Sequence, residues 1–245
     1  MKTNDNFSSE IETFSANSLY QRTNLNIHPH ETIITQSHEK EIIRIIHHIN
    51  KTFISVQSSC TNTISEYLRK NNIKEKLSSP TFCQEILKLL GYEPRDFLLE
   101  PSEEFWQDIE YNCVHTLDFV CTKSSFIPQN TDKVEKICLG DNRFILDESF
   151  DNTMYSITDH QRVVSCSYYK PNDGIFQRTC SMQVFTRPEY RKNGYGRMTA
   201  AAATQAVMKQ DKLALWVCQV ENMPSRKIAE NLGYILLGGE LRIVK

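Results

Sequence analysis

The sequence Arg191-Lys192-Asn193-Gly194-Tyr195-Gly196-Arg197 separates an apolar stretch, which predicts a strand, from an alanine-rich stretch, which predicts a helix. Glycines at 194 and 196 allow backbone N–H groups to turn toward a ligand and to approach it closely. The helix that begins here directs its positive end, with unpaired N–H groups, at the same place. Three basic side chains add positive charge. The stretch therefore predicts a diphosphate-binding turn.

Three kinds of diphosphate site could use such a turn. A P-loop requires Gly-Lys-Ser/Thr at its second glycine, whereas Arg197-Met198-Thr199 follows Gly196 here. A dinucleotide-binding fingerprint requires a third glycine where Thr199 stands. The coenzyme A loop of the GNAT acetyltransferase superfamily has the pattern Arg/Gln-x-x-Gly-x-Gly/Ala, and residues 191–196 match it at every position.

The flanks of the loop strengthen this resemblance. Residues 182–234 read MQVFTRPEYRKNGYGRMTAAAATQAVMKQDKLALWVCQVENMPSRKIAENLGY and resemble the GNAT superfamily throughout. The strand, the Arg-Pro-Glu-Tyr-Arg turn, the loop, the helix, the Trp-containing strand and Asn-x-x-Ser…Leu-Gly-Tyr occur in order. Within the superfamily the chain looks most like bacterial members with an added N-terminal region. The resemblance covers residues 150–245 well and the first 130 hardly at all.

The predicted fold class is α/β (α+β), and the resemblance implies the GNAT fold, a mixed, mostly antiparallel sheet flanked by helices. The residue pattern predicts helices from about Gly196 to Lys209 and from Asn222 or Ser225 to Leu232. Leu213–Val220 is continuously apolar, which predicts a strand buried on both faces. Further strands are predicted at Phe144–Leu146, Thr153–Ile157, Val163–Tyr169, Thr179–Thr186, Ile235–Leu237 and Leu241–Val244.

The N-terminal part has a different pattern. We predict an irregular arm over residues 1–36, a mainly helical subdomain over 37–130 and the GNAT domain over 131–245. Apolar residues at 42, 45, 46, 49 and 53 predict a helix over 39–53. Further helices are predicted around Ile64–Leu68, from Ser79 to Gly91 and from Ser102. No second Arg-x-x-Gly-x-Gly occurs, which favours a helical subdomain over a degenerate second copy of the same fold.

Composition excludes several classes of partner and site. Lys+Arg is 28 and Asp+Glu is 30, so the net charge of −2 argues against nucleic acid. The polar start and the lack of a long apolar run predict no signal peptide, no membrane partner and a cytoplasmic protein. The eight cysteines include no CxxC pair, which favours reduced thiols and no metal site.

The resemblance also implies the ligand-binding residues. The strand before the loop would lend backbone groups to the acetyl carbonyl and the pantetheine arm of acetyl-CoA, and the loop amides would hold the diphosphate. Asn222 and Ser225 match polar positions on the pantetheine or adenosine side, with helix capping as the alternative. Tyr190 and Tyr195 could pack or cover the cofactor. The implied cofactor-binding residues are Val184, Phe185, Thr186, Arg191, Lys192, Asn193, Gly194, Tyr195, Gly196, Arg197, Asn222 and Ser225.

These expectations favour an N-acetyltransferase that uses acetyl-CoA as cosubstrate, without a metal, on a primary amine of a small molecule. The catalytic residues stay unassigned, because Ala229 stands where many GNAT enzymes carry a tyrosine acid. Tyr234 matches the aromatic that normally packs, and Glu189 and Glu221 are weak candidates for the base. The alternative is a non-catalytic acyl-CoA-binding or regulatory protein; protein N-termini or lysines are weaker acceptor candidates. Acceptor, acyl-chain length and oligomeric state are left open.

Overall fold

The computed structural model describes residues 31–37, 41–93, 113–138 and 153–244, with short pieces at 11–12, 15–16 and 22–23. Residue contacts divide the chain into two compact units. The first contains Met1–Leu117, Cys218–Glu221 and Leu237–Lys245, and the second contains Asp118–Val217 and Asn222–Leu236. This division differs from the boundaries expected at residues 36 and 130, which stay predictions.

The described ranges contain the following strands and α-helices in chain order. The strands are β1 (Thr32–Gln36), β2 (Glu41–His48), β3 (Lys51–Val56), β4 (Cys113–Cys121), β5 (Glu135–Cys138), β6 (Thr153–Asp159), β7 (Arg162–Pro171), β8 (Thr179–Thr186), β9 (Leu213–Gln219) and β10 (Ile235–Val244). The helices are α1 (Thr61–Lys70), α2 (Ile73–Leu77), α3 (Phe82–Leu89), α4 (Tyr195–Met208) and α5 (Met223–Asn231). No helix in these ranges is long and apolar enough to cross a membrane.

The first unit packs its helices on a sheet with the strand order β1-β3-β2-β10. Strand β1 is parallel to β3, and β2 is antiparallel to both β3 and β10. Apolar side chains of α1–α3 and of the strands form one buried core, which includes Ile42, Ile45, Ile54, Ile64, Leu77, Phe82, Ile86, Leu87, Leu241 and Ile243.

The helix predicted over residues 39–53 is wrong, because these residues form β2, a turn at residues 49–50 and part of β3. The isoleucines of β2 are fully buried on both faces of the strand, at positions 42, 43, 45 and 46. A strand buried on both faces has no two-residue alternation, and its apolar residues can then fit a helical spacing by coincidence. The preference of β-branched residues for strands was the better signal.

The region 37–130 is therefore not mainly helical in its described part, where β2, β3 and β4 accompany the three helices. Strand β1 falls at the end of the stretch expected to be an irregular arm. Helices α1 and α3 confirm the helices expected around Ile64–Leu68 and before Gly91. The helix expected from Ser102 and the strand expected at Phe144–Leu146 lie outside the described residues.

The second unit is an α/β fold with a mixed, mostly antiparallel sheet, as predicted. Its strands lie in the order β9-β8-β7-β6-β5, and every neighbouring pair is antiparallel except β8 and β9. Helix α4 connects these two parallel strands and packs on β6, β7 and β8. The strands expected near Thr153, Val163 and Thr179 and both expected helices are confirmed.

Two expectations about the last strands are wrong. Strand β9 is not buried on both faces, because Val217 is 56% exposed and the burial along the strand alternates. Residues 235–244 form one strand rather than two. Gly238 and Gly239 do not turn the chain: a Cβ at either position would collide with backbone atoms of His47 or Thr116, so these glycines allow close approach of neighbouring backbone.

Candidate functional site

The segment between β8 and α4 makes a sharp turn on two left-handed residues. A short 3-10 helix at Pro188–Tyr190 follows β8, and then Lys192 and Gly194 adopt φ values of 66° and 78°. Gly194 immediately precedes α4, and a Cβ there would meet no atom within 4 Å. Glycine is therefore required at 194 by backbone conformation and not by crowding. A left-handed non-glycine residue such as Lys192 is a strained feature that often marks a functional site.

The turn leaves a run of backbone N–H groups free. The first backbone hydrogen bond of α4 runs from the Met198 N–H to the Gly194 carbonyl, at 3.1 Å. Among the described residues, the N–H groups of residues 192–197 have no hydrogen-bond acceptor. Arg191, Lys192 and Arg197 are exposed around them. Free amides at the N-terminus of a 14-residue helix, with cations beside them, form a site suited to an anion such as a diphosphate.

Strand β8 has an unpaired edge next to this turn. Its pairing with β9 ends at Ser181–Leu215, whereas its pairing with β7 continues to Thr186. The Arg187 N–H donates to the Val164 carbonyl at 2.9 Å, which fixes the alternation of the antiparallel ladder. By that alternation the backbone groups of Val184 and Thr186 point away from β7. Both backbone groups of Val184 and the N–H of Thr186 are available at the free edge, whereas the Thr186 carbonyl accepts from Arg191.

Phe185 differs from its two neighbours on β8. The same alternation directs its backbone groups toward Cys166 on β7, and its carbonyl also accepts a hydrogen bond from the Ser165 hydroxyl at 3.1 Å. Its ring is 51% exposed. The geometry therefore favours Val184 and Thr186, rather than Phe185, as the source of backbone contacts to a ligand.

Gly196 serves packing between elements. A Cβ at this position would lie 2.9 Å from Thr186 Oγ1 and 3.4 Å from Ile228 Cδ1. The missing side chain thus lets the first turn of α4 lie directly against the end of β8 and against α5. Arg191 ties the loop to the same strand, because its Nε donates to the Thr186 carbonyl at 3.2 Å. Asn193 likewise donates from its side-chain amide to the Tyr190 carbonyl at 3.2 Å.

Asn222 and Ser225 have structural partners. The Asn222 side chain accepts from the Ser225 N–H at 3.1 Å and so caps α5, which is the alternative that the sequence left open. The Ser225 hydroxyl accepts from the indole N–H of Trp216 at 2.9 Å. Trp216 is buried and packs edge-on against Tyr234, with ring centroids 5.5 Å apart. A ligand contact by Asn222 or Ser225 stays a prediction.

Two tyrosines flank the turn. The rings of Tyr190 and Tyr195 stack with centroids 6.5 Å apart. The Tyr190 hydroxyl donates to the Asp159 carboxylate at 2.9 Å, and this hydrogen bond raises the pKa of Tyr190 above its usual value. This contact could not be predicted from local sequence, because it joins the turn to the end of β6. It anchors Tyr190, while Tyr195 lies at the first position of α4.

The positions considered for proton transfer are buried or engaged. Ala229 is fully buried in α5. The hydroxyl of Tyr234 lies 2.8 Å from that of Thr204, and burial holds the pKa of Tyr234 well above its usual value. Glu189 is exposed and lies 4.0 Å from Arg162, as expected of a surface residue. Within the described ranges, no three His, Cys, Asp or Glu side chains converge as a metal site would require.

Three buried hydroxyl groups near the turn, those of Ser165, Ser167 and Thr199, were not among the residues that the sequence predicted. Ser165 and Ser167 project from one face of β7 toward Thr186 on β8 and Thr199 on α4. The Ser-Cys-Ser spacing predicts that the two serines share a face of a strand. Nothing in it predicts their partners, which depend on the pairing of distant segments.

The sequence of this region matches a known protein family. The sequence profile of the family described as GNAT acetyltransferase matches residues 155–238, a range that begins within β6 and includes β7, β8, β9, α4, α5 and the turn. No protein of curated function matches the chain.

Several solved structures are similar to the chain at low identity. An acetyltransferase from the GNAT family of Colwellia psychrerythraea has a TM-score of 0.45 and 8% identity, over 53% of this chain and 55% of that one. A GCN5-related N-acetyltransferase from Kribbella flavida has a TM-score of 0.38 and 15% identity, over 53% and 57%. A GCN5-related N-acetyltransferase-like protein from Streptococcus suis has a TM-score of 0.36 and 19% identity, over 58% and 66%. The chain thus spans less than two thirds of the length of each.

Proposed function

We propose that this chain is an N-acetyltransferase that uses acetyl-CoA, because residues 155–238 match the GNAT acetyltransferase family. The observation that carries the proposal is the adjacency of two binding surfaces, the free edge of β8 and the free amides of residues 192–197. Acetyl-CoA has a diphosphate that suits the amides and a pantetheine arm whose amide groups suit a strand edge. Both surfaces lie within one short segment of chain.

The backbone amides and the basic side chains of the turn then have distinct roles in binding acetyl-CoA. The amides at the start of α4 and the charges of Arg191, Lys192 and Arg197 bind the diphosphate. A backbone N–H of Val184 or Thr186 donates to the acyl carbonyl oxygen, where negative charge develops during transfer. Acetyl-CoA supplies the activated acyl group as a thioester. The residues at the turn thus provide cofactor contacts and do not themselves choose the acceptor.

The acceptor in this proposal is the primary amine of a small molecule. The protein itself is proposed to act in the cytoplasm, without nucleic acid or membrane partners. An amine must lose a proton before it attacks, and the departing thiolate must gain one. The proposal assigns neither group, since the position that a tyrosine acid would use holds the buried Ala229. Tyr234, which matches the packing aromatic, is buried and hydrogen-bonded. Protein N-termini and lysines are the weaker acceptor candidates.

The same observation supports a second candidate, a non-catalytic protein that binds acyl-CoA. Ala229 is fully buried, and the Tyr234 hydroxyl is occupied by Thr204. Such a protein needs the binding surfaces but no proton donor. The two candidates therefore share a ligand and differ in turnover.

Calorimetric titration with acetyl-CoA, CoA and NADH in parallel tests the binding of acyl-CoA, which both candidates require. Saturable one-to-one binding of acetyl-CoA and CoA, without binding of NADH, is expected; no binding of acetyl-CoA would refute the proposal. A screen of amine acceptors that follows free thiol then separates the candidates. Steady acceptor-dependent release of CoA eliminates the binding protein, whereas binding without turnover of any amine eliminates the enzyme.

A further inference from the structure

A cluster of hydroxyl groups makes hydrogen bonds to both of the proposed acyl-CoA-binding surfaces, the free edge of β8 and the first turn of α4. The hydroxyl cluster consists of Ser165, Ser167, Thr186 and Thr199. The Ser165 and Thr186 oxygens lie 2.8 Å apart, and those of Ser167 and Thr199 lie 3.0 Å apart. Ser165, Ser167 and Thr199 are fully buried and Thr186 is half-buried, so water does not compete for the hydrogen bond between Ser167 and Thr199.

The four hydroxyl protons have a complete assignment. The Thr186 hydroxyl donates to Ser165, and the Ser165 hydroxyl donates to the Phe185 carbonyl at 3.1 Å. Ser167 donates to Thr199, whose hydroxyl donates in turn to the Tyr195 carbonyl at 3.2 Å. Each donor is satisfied once, and each chain of hydrogen bonds ends on a backbone carbonyl. A complete network inside a protein rigidifies the segments that it joins.

The two halves of the network start from neighbouring residues of one face of β7. Ser165 holds the end of β8, where Val184 and Thr186 present their backbone groups at the free edge. Ser167 holds the first turn of α4 through Thr199, and that turn carries the free amides. Ser165 and Thr199 are also 3.4 Å apart, so the halves are in contact. Strand β7 therefore contacts both of the elements that carry the two binding surfaces.

We propose that Ser165 and Ser167 are positioning residues that hold the free edge of β8 and the amides of α4 at the separation that one acyl-CoA molecule spans. This inference rests on the proposed function. A ligand that bridges two surfaces gains full affinity only when their separation is already correct. A ligand that touches one surface is insensitive to that separation. Loss of a positioning serine should therefore weaken the bridging ligand selectively.

Ser156 supplies a matched control. It lies on β6 opposite Cys166, is fully buried like Ser165, and its hydroxyl has no hydrogen-bond partner among the described residues. Ser156→Ala removes the same atom from the same sheet without touching the hydroxyl cluster. It thus measures what a buried Ser→Ala change does by itself.

The test compares binding of acetyl-CoA with binding of ADP, which carries only the diphosphate half, by calorimetric titration. Ser165→Ala is expected to weaken acetyl-CoA binding about fivefold, the value of one net hydrogen bond, and to change ADP binding less than about twofold. Ser156→Ala should change neither. Ser167→Ala provides a second variant with the same expectation should Ser165→Ala not fold.

The outcomes are distinguishable from failure of the proposed function. If the unaltered protein does not bind acetyl-CoA, the proposed function fails and the inference falls with it. If it binds acetyl-CoA but not ADP at millimolar concentration, the diphosphate is not held by the amides of α4 and the inference is wrong. Equal weakening of both ligands, or no weakening of either, in the serine variants also overturns it.

Discussion

The free energy of unfolding is expected to fall between pH 7 and pH 5, and replacing His47 with asparagine is expected to make that fall about 2 kcal/mol smaller. His47 is a β2 residue that is 9% exposed, and its Nδ1 lies 2.9 Å from the Thr52 hydroxyl. Burial, followed by the proximity of His48 and Lys74, lowers the pKa of His47 from 6.5 to about 4. Asparagine keeps a polar atom near Thr52 but cannot be protonated in this range.

The sign of the effect follows from proton binding in the two states. The unfolded chain takes up a proton on this histidine near pH 6.5, whereas the folded chain resists it until about pH 4. The unfolded state therefore binds more protons within that window, and the free energy of unfolding falls as the pH falls through it. Each pH unit costs about 1.4 kcal/mol, so the fall from pH 6.5 to pH 5 costs about 2 kcal/mol.

The measurement is urea unfolding at pH 7 and at pH 5, followed by circular dichroism, for the unaltered protein and for His47→Asn. The quantity compared is the change in unfolding free energy between the two pH values. His160→Asn is the matched control. The His160 side chain is 93% exposed, and its 3.8 Å contact with the Asp159 carboxylate is an exposed pair that contributes little, so its replacement should leave that change nearly as it is. If His47→Asn loses as much stability as the unaltered protein over this interval, the side chain is not held neutral by burial and the reasoning fails.

The remaining predictions concern the turn and its surroundings. Gly196→Val should weaken acetyl-CoA binding at least about tenfold in a calorimetric titration, because its Cβ would lie 2.9 Å from Thr186 Oγ1 and separate α4 from β8. Gly194→Ala should cost about 1–2 kcal/mol of unfolding free energy in urea, since φ is 78° there although the space is open. Arg191→Ala should weaken acetyl-CoA binding less than about fivefold in the same titration, and less still at high salt, because an exposed charge is screened. Tyr234→Phe should cost about 1 kcal/mol in urea unfolding without lowering any acetyl-transfer rate, since its hydroxyl serves Thr204; a large fall in rate would identify it as the acid.

Sequence patterns predicted the second unit well because its signals are local. Thr179–Thr186 and the helix beginning near Gly196 are bounded by residues whose own conformational preferences stop or start an element. The first unit was harder, since β2 is buried on both faces and its spacing of apolar residues fits a helix as well as a strand. Burial on both faces depends on how the whole sheet packs, so it cannot be predicted from the eight residues of β2 alone.

In the candidate functional site, too, local sequence predicts only part of the structure of the turn between β8 and α4. The residues that form it could be predicted, because a left-handed glycine before a helix and a run of free amides are consequences of local sequence. The hydrogen bonds that Ser165 and Ser167 make to β8 and α4 could not be predicted, since they arise from the pairing of β7 with β8. A six-residue motif can therefore predict a turn that suits a phosphate-bearing ligand. Whether the rest of that ligand also fits is decided by residues that the motif does not contain, so substitutions on β7 test the proposed function as directly as substitutions in the turn.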